Sequence, residues 1–424
     1  MTMFRIDGGS KLRGDVSVAG SKNSALAILS AVVLTEAPIT LRGVPNIADV
    51  KIKSDLLRRF GAKITEDDSN LLIDCGTIFD GHADEETVRA IRTSFYLLGP
   101  ILARVGKIEI PAPGGCKIGL RPVDLHLKGL ALMGAKITLE GGVYRATADR
   151  LHGANVYLDS PSAGATQHLM TTACLAEGVT VIQNAAMEPE ITTLARFLGQ
   201  LGARIEGAGT STITIYGQRK LGGANFVIPA DRMQAGTYLL AGAITRGSVR
   251  VNGILPEEHT AVVNKLIECG ADVEQGYDWI RASADGRLNG TRVKTMPHPG
   301  FPTDMQQPMA ALLATAKGAS VVEETIYESR TGHVNELVRM GAEMRIEGRS
   351  VIINGVEKLK GAGVVASDLR AGAALCLAAM AAEGESHIRN IEMIDRGYHC
   401  FEETLRSLGA KIDRVANQER RLAH

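Results

Sequence analysis

The sequence predicts an α/β protein of six repeated units, three in each of two lobes. Two observations carry that prediction. A pattern of apolar residue, Gly, Ala, polar residue and apolar residue occurs at 60–64, 133–137, 201–205, 269–273, 340–344 and 408–412. Its glycines, Gly61, Gly134, Gly202, Gly270, Gly341 and Gly409, follow one another at intervals of about 73, 68, 68, 71 and 68 residues, the regularity of duplicated units. Between these marks lies the second observation: a helix rich in small residues, a Gly or Pro turn, and an alternating strand. The order is found at 24–35 before 39–41, 169–177 before 179–182, 237–245 before 249–251, 309–317 before 321–322, and 369–382 before 387–388.

Each unit then reads as strand, helix, strand, helix, strand, strand, the make-up of a mixed sheet with helical cover. At 49–60, Val50, Ile52, Leu56, Leu57 and Phe60 give one apolar face, and Gly61 stands where a helix end favours a left-handed residue. The Ala- and Gly-rich helices are apolar nearly all round and are expected to lie buried between sheets. The sixth unit ends early, with the strand that begins at Lys411, whereas the first is preceded by two extra strands, 4–6 and 15–18. The N-terminal strands are therefore expected to complete the last unit. Residues 22–229 form one lobe on this reading, and residues 1–21 with 230–424 form the other. A cleft between lobes is the expected place for a binding site.

The 424 residues are 45% hydrophobic and 22% charged, enough apolar content to bury large cores. Lys and Arg together number 47, as do Asp and Glu, and aromatics are few, which removes the electrostatic case for nucleic acid as a partner. Residues 1–7 contain no apolar signal segment and the apolar run 25–34 is too short to span a bilayer, so no membrane insertion is expected. Six scattered cysteines do not make a disulfide framework and fit a reducing cytoplasm. No second Cys or His stands at ligand spacing from Cys116, so no metal is expected, and no motif calls for another cofactor. The oligomeric state is left open, a monomer being one option.

Residues with chemistry collect in two kinds of place. The loop 112–122 is bracketed by Pro111, Pro113 and Pro122 and carries Gly114, Gly115 and Gly119. It sets the Cys116 thiol beside Lys117 and Arg121, cations that favour a thiolate. It is not a phosphate-binding P-loop, because Leu120-Arg121 stands where Lys followed by Ser or Thr is required. The other place is the start of each small-residue helix: Ser21-Lys22-Asn23, Arg92-Thr93-Ser94, Ser162-Ala163-Gly164, Asp231-Arg232, Thr303-Asp304 and Asp368-Leu369-Arg370. Helix N-termini offer free N–H groups and partial positive charge to phosphates and carboxylates. The plain alternative is that these Ser and Asp residues only cap their helices. Lys22 is harder to explain that way, since a cation at a helix start opposes the dipole. Arg330 and Arg396 add further cations. Together the residue types fit an enzyme that clamps a polyanionic substrate with Lys and Arg, moves protons with carboxylates and uses a loop thiol.

The same residues carry a resemblance. Lys22-Asn23, Arg92, the Cys116 loop with Arg121-Pro122-Val123-Asp124-Leu125, the segment 301–305, Asp368-Leu369-Arg370 and Asp395-Arg396-Gly397 resemble the UDP-N-acetylglucosamine 1-carboxyvinyltransferases, a family of enolpyruvyl transferases, over essentially the whole chain. The resemblance implies a two-lobed, inside-out α/β barrel. It implies transfer of enolpyruvyl from phosphoenolpyruvate to the 3′-hydroxyl of UDP-N-acetylglucosamine with release of phosphate, the first committed step of peptidoglycan synthesis. Cys116, Asp304, Lys22 and Arg396 are implied as catalytic. Asp304 would take the hydroxyl proton, and Cys116 would donate a proton and also form a covalent adduct with phosphoenolpyruvate. Lys22, Arg121 and Arg396 would hold the phosphate and carboxylate, with Arg330 and Arg370 nearby. Asn23, Arg92, Arg121, Pro122, Val123, Asp124, Leu125, Ser162, Gly164, Ile326 and Asp368 are implied around the substrates. Two positions depart from the family pattern: Ser160, where some members carry Lys against the diphosphate, and Gln234, where an acidic residue is common. The alternatives are the shikimate-pathway enolpyruvyl transferase on the same fold, which lacks this Cys loop, and a catalytically silent UDP-sugar-binding regulatory paralogue. The second predicts loss of Lys22, Cys116, Asp304 or Arg396, and all four are present.

Overall fold

The Gly-Ala marks end helices in the same way six times. Gly61, Gly134, Gly202, Gly270, Gly341 and Gly409 all hold φ between 87° and 100°, a left-handed region that glycine enters without a Cβ clash. The alanine after each donates its N–H to a leucine carbonyl, that of Leu57, Leu130, Leu198, Leu266, Leu337 or Leu405, at 3.0 Å in every case. These are Schellman caps, and the fully buried leucines seat each helix end on the core. The structure is a computed structural model and describes residues 2–79, 85–113 and 123–416.

From each cap the chain runs into an antiparallel hairpin. The pairs are Lys63–Asp67 with Asn70–Asp74, Lys136–Glu140 with Val143–Thr147, Arg204–Glu206 with Thr212–Tyr216, Asp272–Gln275 with Trp279–Ser283, and Glu343–Glu347 with Ser350–Asn354. The sixth repeat has the first of these strands, Lys411–Ala416. The N-terminal strand Thr2–Asp7 supplies the second, in register from Thr2 opposite Ala416 to Asp7 opposite Lys411. The other N-terminal strand, Arg13–Ser17, goes elsewhere and lies parallel to Ser248–Asn252 of the fourth repeat. In the same manner Ala224–Val227, at the end of the third repeat, lies parallel to Ile39–Arg42 of the first. Six sheets result among the described residues, five of four strands and one of three.

The described chain divides into two compact units, Gly20 to Pro229 and the residues up to Ala19 with those from Ala230 onward. Each holds three sheets and three small-residue helices. The helices are Lys22–Ala31, Leu98–Val105 and Ala163–Ala173 in one unit, and Arg232–Ile244, Gln306–Leu313 and Leu369–Ala381 in the other. They are buried nearly all round, and in the second unit the three pack pairwise against one another. Helices thus fill the middle of each unit and sheets cover it, the inside-out α/β arrangement. The helix Ala163–Ala173 starts where expected, capped by Ser162, and its Thr166 and His168 find partners inside the protein. No helix among the described residues is long and apolar enough to cross a membrane.

Phe4 fastens the N-terminal strand to the last repeat. Its ring lies 6.4 Å from that of Phe401, which in turn lies 4.8 Å from Tyr398 and 6.1 Å from Tyr238 on the helix Arg232–Ile244. Phe4→Ala should therefore destabilise the unit that holds both chain ends by about 3–5 kcal/mol in urea unfolding. Leu72→Ala, at an exposed position, should change stability by less than about 0.5 kcal/mol.

Candidate active site

In the unit from Gly20 to Pro229, the first central helix begins at Lys22. Ser21 fixes its start: the Oγ accepts from the Ser24 N–H at 3.3 Å, and the Ser21 N–H donates to the Pro229 carbonyl at 2.7 Å. Lys22 is buried, with its ammonium 2.9 Å from Asp49 Oδ2 in the first turn of the helix Ala48–Arg59. That carboxylate offsets the dipole and desolvation terms that oppose a cation at a helix start. Asn23 beside it is exposed. Arg92 opens a 3-10 helix, Arg92–Leu97, and wholly buried Lys53 donates from Nζ to the next carbonyl, that of Thr93, at 2.6 Å. Ser162 caps the third central helix through the Ala165 N–H at 3.2 Å. A Cβ on Gly164 would stand 2.3 Å from the Tyr96 hydroxyl and 3.5 Å from His126 Cε1, so glycine is what lets these rings approach. Val123, Asp124 and Leu125 lead into the helix Asp124–Leu132, on which His126 is buried while Asp124 is exposed. Ser160 is exposed.

Sequence reasoning misses the pair His126 and His168. Their Nδ1 atoms are 2.9 Å apart, and the Gly99 N–H donates to His168 Nε2 at 2.8 Å. Nε2 of His168 is thus an acceptor, its proton sits on Nδ1, and His126 accepts there and keeps its own proton on Nε2. Both rings are neutral. Burial, with Arg92 adding, pulls His126 down to about 3; burial, then His126 and Lys53, hold His168 well below its ordinary value. Burial also holds the Lys53 ammonium well below its usual range. The pair joins the helix that follows Val123 to the one that Ser162 and Gly164 begin. Its signal in the sequence is weak: a His and a Thr-rich stretch inside helices otherwise read as apolar.

In the other unit three aspartates stand at the helix starts, and they do different things. Asp231 is a cap, its Oδ1 accepting from the N–H groups of Met233 at 2.8 Å and Gln234 at 2.9 Å. Asp368 is a cap as well, its Oδ1 accepting from Arg370 N–H at 2.9 Å and Ala371 N–H at 3.1 Å, while Oδ2 takes Gln307 Nε2 at 3.2 Å. Asp304 stands within the 3-10 turn Thr303–Met305 that leads into the helix Gln306–Leu313, and is turned to another use. Its Oδ1 lies 2.8 Å from Arg330 Nη1, and its Oδ2 takes Arg370 Nη2 at 3.0 Å and Nε at 3.1 Å. The guanidiniums of Arg330 and Arg370 are 2% and 1% exposed, whereas Asp304 keeps 25% of its side chain open. The carboxylate is therefore the part of this cluster that an incoming molecule meets. Burial pulls the Arg370 pKa down, but Tyr398, Asp304 and Asp231 outweigh it and raise it.

Gln234 donates from Nε2 to the Gly397 carbonyl at 3.2 Å, and the Thr237 and Tyr398 hydroxyls are 2.9 Å apart. These bonds fasten the turn that follows half-buried Arg396 to the helix Arg232–Ile244. Ile326 is half-buried and held through its N–H by Glu324. The structure thus brings Asp304, Arg330, Asp368 and Arg370 together in one unit. In the other it places Lys22 on Asp49 and gathers Gly164 and the helix after Val123 around His126. Cys116, Arg121 and Pro122 lie outside the described residues.

Comparison with known proteins places the chain. A family model described as EPSP synthase (3-phosphoshikimate 1-carboxyvinyltransferase) matches residues 6–405, and the chain belongs to this family of transferases. The enolpyruvyl transferase NikO from Streptomyces tendae shares the fold with a TM-score of 0.89 at 26% identity, covering 98% of this chain and 99% of that one. EPSP synthase from Acinetobacter baumannii shares it at a TM-score of 0.76 and 22% identity, covering 98% of this chain and 100% of the other. Among relatives, UDP-N-acetylglucosamine 1-carboxyvinyltransferase 2 of Carboxydothermus hydrogenoformans is 48% identical over 98% of this chain and 100% of its own length. UDP-N-acetylglucosamine 1-carboxyvinyltransferase of Proteus mirabilis is 47% identical over 99% of this chain and 100% of its own.

The neutral histidine pair has a consequence for stability. His126 titrates at about 3 in the fold and at 6.5 when unperturbed, so the unfolded chain binds the extra proton first as pH falls. Its contribution is complete above pH 6.5 and is lost as pH drops toward 3. Unfolding measured at pH 7 and at pH 4 should show a loss about 3 kcal/mol larger in wild type than in His126→Gln.

Proposed function

We propose that the chain transfers enolpyruvyl from phosphoenolpyruvate to the 3′-hydroxyl of UDP-N-acetylglucosamine with release of phosphate, the first committed step of peptidoglycan synthesis, and that it does so in the cytoplasm. The acceptor follows from relatives that share nearly half its residues over their whole length. Within the structure, the observation that carries the reading is Asp304. Unlike Asp231 and Asp368 at matching helix starts, it is held by two buried guanidiniums with one side open.

The chemistry assigns the parts. In the addition step the acceptor oxygen bonds to C2 of phosphoenolpyruvate, Asp304 takes the hydroxyl proton, and Cys116 delivers a proton to C3, giving a tetrahedral ketal. In the elimination step the Cys116 thiolate left by the addition takes a proton back from C3, the bond from C2 to the phosphate oxygen breaks, and the double bond re-forms as phosphate leaves, taking up the proton held by Asp304. Lys22, Arg121 and Arg396 hold the phosphate and carboxylate, and Arg330 and Arg370 hold Asp304. Fixed cations of this kind neutralise charge that would otherwise repel the nucleophile. Arg92, Arg121, Pro122, Val123, Asp124 and Leu125 receive the nucleotide, and the helix that begins at Ser162 and Gly164 offers N–H groups to its diphosphate. Asn23, Ile326 and Asp368 position the sugar.

The deciding measurement is phosphate release from phosphoenolpyruvate with UDP-N-acetylglucosamine as acceptor and shikimate 3-phosphate as control. Release should depend on the sugar nucleotide and fall at least roughly hundredfold in Asp304→Asn and in Cys116→Ser. Release with the shikimate acceptor instead would reverse the choice of substrate. Fosfomycin, an epoxide phosphonate, should add its mass to the wild-type chain in the presence of the sugar nucleotide and leave Cys116→Ser unmodified. An unmodified wild type would contradict the role given to the thiol.

A further inference from the structure

The segment that carries Ile326 and Arg330 begins with a carboxylate that the chemistry above does not use. Glu324 follows the strand Ala319–Glu323 and is 2% exposed. Its Oε1 accepts from the Thr295 hydroxyl at 2.8 Å and from the N–H groups of Ile326 at 2.8 Å and Tyr327 at 3.1 Å. Its Oε2 accepts from the Thr303 hydroxyl at 2.8 Å. Its neighbour Glu323 makes the ordinary use of a carboxylate, reaching toward Arg292 and Lys294 at the surface. A carboxylate taken out of water needs its acceptors filled, and here four donors from three stretches of chain converge on one group.

The Thr303 hydroxyl is the link to the site. Its single proton goes to Glu324 Oε2, so its lone pairs accept, and Arg330 Nη1 donates to it at 2.9 Å. The same nitrogen lies 2.8 Å from Asp304 Oδ1, and Asp304 Oδ2 meets Arg370 at 3.0 Å. Charge alternates along this row, from Glu324 through Arg330 and Asp304 to Arg370. Backbone N–H groups pin its Glu324 end.

We propose that Glu324 is a positioning residue for the transfer reaction. Through the Thr303 hydroxyl it sets where the Arg330 guanidinium sits, and so the direction in which Asp304 presents its open side; the same carboxylate fixes the backbone at Ile326. The assignment rests on Asp304 working as the base. Glu324→Gln replaces one acceptor oxygen by an N–H donor. Facing Thr303, that donor takes the hydroxyl's lone pair and leaves its proton to compete with Arg330; facing the other way, it opposes three donors.

Kinetics on the full chain test this. Glu324→Gln and Thr303→Val should each lower kcat by roughly ten- to hundredfold, with KM for the sugar nucleotide within about threefold of wild type. Thr303→Ser, which restores the hydroxyl, should recover most of the loss. The double variant should fall no further than the worse single, because both act through one hydrogen bond. Losses that multiply in the double variant, or a Thr303→Val enzyme as active as wild type, overturn the proposal. A wild type that does not use this acceptor sinks the functional reading instead. The Arg330 side-chain nitrogen resonance then decides: it should shift in Glu324→Gln and not shift again on adding Thr303→Val, and an unmoved resonance overturns the positioning role.

Discussion

A guanidinium removed from water needs counter-charge and acceptors, or the fold loses several kcal/mol. Two such groups, Arg330 and Arg370, lie almost wholly buried in the unit built around residues 230–416, and the local structure is arranged to meet that demand. Asp304 takes one guanidinium on each oxygen, Thr303 accepts from Arg330, and the Tyr398 ring lies 5.2 Å from the Arg370 carbon. Four stretches of chain, at 303–305, 324–330, 368–370 and 397–398, are brought to one place by these contacts. Some polar capacity is left over, since Arg330 Nε, Arg370 Nη1 and Gln307 Oε1 are buried without a hydrogen-bond partner among the described residues. The cluster turns its carboxylate, not its cations, toward whatever enters.

The other unit handles buried basic groups by the opposite means. Lys53, His126 and His168 sit close together with no carboxylate among the influences on their charge, and burial keeps all three toward their neutral forms. Lys22, by contrast, meets a carboxylate, that of Asp49. Neutral rings can be hydrogen-bonded into a rigid pair at little electrostatic cost. That rigidity joins the helix after Val123 to the one beginning at Ser162, the two stretches proposed to receive the nucleotide.

The repeat gives the scaffold, and the divergence of its copies gives the site. Six Schellman caps of one design end the outer helices, so each hairpin leaves its helix in the same way. At the starts of the central helices the copies differ: Ser21, Ser162, Asp231 and Asp368 cap, whereas Asp304 holds arginines. The capping role is a sound default for Asp at a helix start, and it holds for Asp231 and Asp368. The exception at Asp304 is the residue on which the chemistry is proposed to turn.

What was legible in the sequence was local. Repeat spacing, the Gly-Ala helix ends, the apolar helices and the class of fold all depend on residues within a few positions of one another, where periodicity and capping act directly. The types of residue at the site were legible too, because Lys22, Asp304 and Arg370 stand at helix starts where such groups are conspicuous. Their partners were not. Asp304 and Arg370 are 66 residues apart in the chain, and the anchor at Glu324 looks in sequence like any acidic residue after a strand. Strand bookkeeping foretold that the N-terminal strands would complete the last repeat, and Thr2–Asp7 does so, but Arg13–Ser17 joins the fourth repeat instead. Pairings between distant segments are chosen by how helices and sheets close around a core. Which buried groups keep their charge follows from that closure, and no local pattern encodes it.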